Sequence, residues 1–69
     1  MKTYIKKEPI EKFMAYHRLT KNHFSKNCGI SVKTFDKLMA GNPVRLYIAL
    51  QISGYMKIEY EKLFYFKHG

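Results

Sequence analysis

LTKNHFSKNCGISVKTFDKLMAG, residues 19–41, holds two short helical segments separated by a three-residue break. Thr20 stands where an N-cap hydroxyl would accept from the first-turn backbone, which predicts a helix over about Lys21–Cys28. Gly29 follows it at the position that favours a left-handed residue. Ser31 caps a second segment running through Ala40, and Gly41 closes that one. The second segment directs Phe35, Leu38 and Met39 to one side and Val32, Lys33, Asp36 and Lys37 to the other. Ser25 is small where the second helix has to pack closely, and Ile30 is placed to plug the angle between the two. Together these features form the pattern of a helix-turn-helix.

Outward from this stretch the chain stays helical in character, punctuated at Pro9, Gly29, Gly41-Asn42-Pro43 and Gly54. A first helix is expected to begin near Pro9, with Ile10, Phe13, Met14 and His17 along one face. A fourth runs from Val44 to Ser53 and is apolar almost all round, with only Arg45 and Gln51 clearly polar. A helix without a polar face is either central to the core or covered by a partner. The tail from Ile58 to Phe66 reads as a short helix, although Tyr65-Phe66 equally suits a strand. The expectation is an all-α fold, a compact four- to five-helix bundle forming one domain over residues 1–69.

Thirteen Lys and Arg against five Asp and Glu give a formal net charge of +8 and a pI near 9.8. The excess is focused: residues 12–37 contain six basic side chains and Asp36 alone among the acids. Such a face attracts polyanions, nucleic acid first. At 46% hydrophobic and 16% aromatic the chain is too apolar for a disordered basic tail. The single Cys28 forms no internal disulfide and no thiolate zinc site, and reads as a small core hydrophobe. His17, His23 and His68 lack metal-ligand spacing. No apolar run approaches the roughly 20 residues of a membrane helix, and the N-terminus does not read as a signal peptide. A cytoplasmic protein that engages no membrane and no cofactor is therefore expected. No nucleophile–base–acid set, carboxylate pair or phosphate-binding glycine loop suggests an enzyme.

The motif resembles the helix-turn-helix of Cro/CI-type (XRE-like) phage and bacterial regulators, and the resemblance extends from Ile10 to about Phe64. Ile10 and Phe13 match the family's first-helix core, Leu19-Thr20 its Leu-Thr entry to helix 2, and Phe24-Ser25 its Leu-Ala pair. Gly29-Ile30-Ser31 matches its turn, Phe35 and Leu38 its third-helix core, and Gly41 the glycine ending that helix. Ile48-Ala49 with Ile52 resembles its Ile-Ala-x-x-Leu. Lys21 and His23 stand where the family commonly has Gln and Glu, so the capping box is incomplete.

The resemblance implies a lambda-repressor-like DNA-binding domain whose helix-turn-helix spans about residues 20–40. It assigns Val32, Lys33, Asp36 and Lys37 to base edges, and Lys21, Thr34, Asn42 and Arg45 to phosphates. Tyr47, Tyr55, Tyr60, Phe64, Tyr65 and Phe66 exceed what so small a core can hide, and Tyr47, Tyr55, Tyr60, Phe64 and Phe66 form with the 58–69 tail a candidate dimer interface. The expected function is a transcriptional regulator, a repressor, acting on double-stranded DNA as a homodimer at a palindromic site. The sequence offers no small-molecule effector site. The alternative is an antitoxin-like or protein-interaction module on the same scaffold.

Overall fold

The computed structural model describes residues 2–67 and resolves the helical pattern into five helices and one small sheet. The elements run β1 (Lys2–Ile5), α1 (Lys7–Tyr16), α2 (Lys21–Cys28), α3 (Val32–Met39), α4 (Leu46–Met56), α5 (Tyr60–Leu63) and β2 (Phe64–Lys67). His68 and the end of the expected 58–69 tail lie outside the described residues.

Helix α1 starts two residues before Pro9, which becomes its third residue. The missing proline N–H does no harm there, because the first four N–H groups of a helix have no intrahelical acceptor. The α2 and α3 boundaries follow from their caps. Thr20 Oγ1 accepts from the His23 N–H at 3.2 Å, and Ser31 Oγ accepts from the Thr34 N–H at 3.0 Å. Gly29 adopts φ +79°, and the Ile30 N–H returns to the Ser25 carbonyl at 3.0 Å, turning the chain sharply between the helices. A Cβ at Gly29 would meet only the tip of Gln51, at 3.5 Å, so backbone strain rather than crowding is what favours glycine there.

The fourth helix begins and ends later than its apolar run suggests. Val44 is drawn out of it by an isolated bridge to Thr3, its N–H donating to the Thr3 carbonyl at 2.8 Å. At the other end Gly54 is carried inside the helix, which stops at Lys57 with φ +56°.

The tail is only partly helical. α5 is a single turn, and the chain then pairs antiparallel with β1, setting Ile5 opposite Phe64, Tyr4 opposite Tyr65, Thr3 opposite Phe66 and Lys2 opposite Lys67. The fold is therefore helical, as expected, with a two-stranded ribbon: the extended alternative at Tyr65-Phe66 is the one taken, and its partner strand at Lys2–Ile5 is the part not expected. Strand pairing between the two ends of the chain has no local signature, and a four-residue strand is too short to display its alternation.

Ile5 and Phe64 place the inner side of the ribbon in the core, beside Ile10, Phe24, Phe35, Leu38, Ala49, Ile52 and Leu63. Phe24 is the hub. Its ring meets Phe13 of α1 at 6.1 Å and Tyr55 of α4 at 5.6 Å edge-on, and Phe35 of α3 at 5.5 Å. Edge-to-face aromatic contacts of this kind lock the relative orientation of helices as well as burying area. Ser25 is almost wholly buried beside this hub, and its Oγ has no hydrogen-bond partner among the described residues.

Candidate nucleic-acid interface

Burial of Phe35 and Leu38 fixes the rotation of α3 and leaves Lys33, Asp36 and Lys37 exposed, with Val32 and Thr34 half-buried. Five of the residues assigned to base edges or phosphates therefore lie on or beside one outward face. The Thr34 hydroxyl accepts from Ser31 Oγ at 2.9 Å, which ties it to the helix cap while leaving its own proton to donate.

Beyond α3 the chain turns through Gly41, at φ +97°, and Asn42. Both the backbone N–H and the side-chain amide of Asn42 donate to the Lys37 carbonyl at 3.1 Å. Asn42 thus seals the end of α3, and this sets the path by which Arg45 arrives at the N-cap of α4. A cleft of about 170 Å³ opens between α3 and α4, lined by Thr34, Lys37 and Arg45 together with Leu38, Val44 and Ile48. One assigned base contact and two assigned phosphate contacts meet around it.

Lys21 occupies the first position of α2, as expected, but its side chain is engaged. Its Nζ lies 3.3 and 3.5 Å from the two carboxylate oxygens of Asp36. Lys33 and Lys37 are nearer to Asp36 along the chain, yet it is Lys21 that makes the ion pair. Among the described residues Lys33, Lys37 and Arg45 make no salt bridge, the second ion pair being Lys12–Glu8 on α1 at 3.0 Å. The face therefore keeps most of its positive charge unneutralised.

The five aromatic residues assigned to a dimer interface do not share one surface. Phe64 is a correction: only 2% exposed and stacked on Tyr60 at 5.5 Å, it belongs to the core and has no surface to offer a second chain. Tyr55 is half-buried between Phe13 and Phe24, and its hydroxyl accepts from Asn27 at 3.0 Å. Tyr60 is half-buried too, leaving Tyr47 on α4 and Phe66 on β2 as the exposed members.

Leu46 and Leu50 join Tyr47 on the outside of α4, at 55%, 51% and 60% exposure, and the aromatic count missed both. Their signal was present in the lack of a polar face on that helix. Tyr4 and Tyr65 also stack across the outer side of the ribbon, at 5.7 Å, with Lys67 Nζ 5.2 Å from the Tyr4 ring centre and 5.9 Å from that of Tyr65. Tyr65 was open to a strand reading, but with no strand expected at Lys2–Ile5 nothing in the sequence set Tyr4 beside it.

Cys28 is buried, and desolvation pushes its thiol up to about 12, so it stays protonated. Among the described residues no helix is long and apolar enough to cross a membrane.

No protein-family model matches the chain, and no curated protein matches it in sequence. Among solved structures it is similar to the transcriptional regulator VanUg in its second crystal form. That similarity has a TM-score of 0.72 at 20% identity, and covers 94% of this chain and 87% of the other. The two chains share a fold, and in this chain that fold carries a helix-turn-helix.

Proposed function

We propose that this protein is a sequence-specific DNA-binding transcriptional regulator that seats α3 in the major groove. The observation that carries this reading is the outward face of α3, cationic and unneutralised at Lys33 and Lys37, on a helix held by its caps and by Phe35 and Leu38. Val32 offers methyl contact to thymine, and Lys33 and Lys37 donate to guanine O6 or N7. Asp36 accepts from a base amino group. Thr34, Asn42 and Arg45 hold the flanking phosphate beside the cleft, and Lys21 holds another at the start of α2. The shared fold with VanUg, a transcriptional regulator, supports the same assignment.

The protein acts as a homodimer on a palindromic site, as a repressor that occludes the DNA it covers. Leu46, Tyr47 and Leu50 give the second copy an apolar face to bury. Two recognition helices related by a two-fold axis read half-sites about 34 Å apart, one turn of the duplex. The same α4 face also favours a second reading, in which a different protein docks there and the scaffold works as an interaction module.

Fluorescence anisotropy with random duplex and with pools selected for binding, at two salt concentrations, tests the proposal. Salt-steep binding that enriches a palindrome is expected. Binding without enrichment would leave a non-specific basic protein, and no binding at low salt would refute the DNA reading in favour of a protein partner.

A further inference from the structure

Of the five carboxylates in the chain, four lie at positions 8, 11, 59 and 61, near its two ends. Asp36 stands alone in the middle, on the exposed face of α3 between Lys33 and Lys37. A carboxylate there repels DNA phosphates and faces base-edge acceptors, so its presence calls for a reason. Its bond to Lys21 joins the two helices of the motif across their outer side, with both side chains about half exposed. Ion pairs this exposed are held weakly and exchange for a better anion. A backbone phosphate meeting Lys21 at the N-terminus of α2 is such an anion, because the helix end adds its own positive potential.

We infer that Asp36 determines specificity by acting through Lys21, a role that rests on the DNA-binding reading above. On an unmatched duplex, Lys21 stays on Asp36 and contributes nothing to sequence-independent attraction. When α3 seats fully, the phosphate takes Lys21 and the carboxylate is left without its donor. A cytosine or adenine amino group at that position supplies a replacement, whereas guanine O6 and thymine O4 present only acceptors. The exchange completes only over a matching base, so the pair lowers affinity for generic DNA while leaving the matched site intact.

The test measures anisotropy across a salt series for the wild type, Asp36→Asn, Asp36→Glu, Lys21→Gln and the double variant, on random duplex and on a wild-type-selected pool. All the substitutions are at exposed side chains, and circular dichroism confirms that each variant folds. Asp36→Asn is expected to bind random duplex about fivefold tighter, the upper range for an exposed charge pair. Its log K against log salt steepens by about 0.9 as Lys21 joins the phosphate contacts. In the Lys21→Gln background the steeper slope disappears and most of the gain with it, and Asp36→Glu keeps the wild-type preference for the selected pool. A gain that persists in full without Lys21 means that Asp36 acts by its own charge alone, and overturns the inference while leaving DNA binding in place. The absence of any gain overturns it equally. Failure of every variant to bind duplex at low salt removes the DNA reading itself, and this inference with it.

Discussion

Replacing Ser25 by alanine should make the protein more stable. Ser25 lies on α2, 1% exposed, and its Oγ meets no donor or acceptor among the described residues. A buried hydroxyl left unpaired costs about 1–3 kcal/mol, most of which the substitution recovers. Alanine is also the better helix former, by up to about 0.7 kcal/mol, and it removes one small atom from a site already built for a small side chain. Taking the low end of the hydroxyl term and allowing for the lost contacts, the expected gain is about 1 kcal/mol. For a domain of this length that raises Tm by roughly 4–8 °C. Thermal denaturation followed by circular dichroism at 222 nm measures it directly, with Ser25→Val as a control that overfills the helix crossing and should lower Tm. An alanine variant melting at or below the wild type would show that the hydroxyl is satisfied, and the description of Ser25 as buried without a hydrogen-bond partner would fall.

Three further expectations follow from the same packing. Gly29→Ala should cost about 1–2 kcal/mol by chemical denaturation, the penalty for a Cβ at φ +79°, while the variant still folds because the nearest obstacle is a movable glutamine tip. Phe64→Ala should cost about 3–5 kcal/mol, enough to unfold much of the protein at 37 °C, whereas Phe66→Ala should change the melt far less. Equal effects from the two substitutions would contradict the assignment of Phe64 to the core. For Cys28 the folded pKa lies above the unfolded one, so the folded state keeps a proton that the unfolded chain releases. Stability is therefore unaffected by this thiol below about pH 9, and falls as pH rises from there towards 12. Thiol labelling of the native protein at pH 8 should proceed only at the rate of opening.

The helix-turn-helix was legible because its determinants are local. Thr20, Gly29 and Ser31 each act on backbone within three or four residues, and the inward stripe of α3 shows in eight positions of sequence. The ribbon was only half legible: Tyr65-Phe66 was open to a strand, but Lys2–Ile5 finds its partner only after the whole chain has folded back. That same pairing corrected the fourth helix, because a contact with Thr3 determines where Val44 leaves the apolar run. For the interface, exposure of Lys33 and Lys37 followed from the helical period. The engagement of Lys21 with Asp36 did not, as residues 15 apart carry no spacing signal. Counting aromatics overestimated the surface: Phe64 and Tyr55 are absorbed by ring-on-ring packing, whereas Leu46 and Leu50, unremarkable as residue types, are left outside.

The antiparallel register of residues 2–5 against 64–67 has a consequence for how the domain gains and loses its structure. The two strands close a loop of some 60 residues, so the entropy of closing it is recovered only once the helices have already drawn the ends together. The ribbon is thus a late event in folding, made possible by the rest of the molecule. Once formed, it couples the two ends: Ile5 and Phe64 share one contact, and stripping either strand exposes the other's inner face. A clip of this kind makes fraying at one end a disturbance at both. It also holds Lys2 and Lys67 opposite one another, so a change made at one of these positions is felt beside the other.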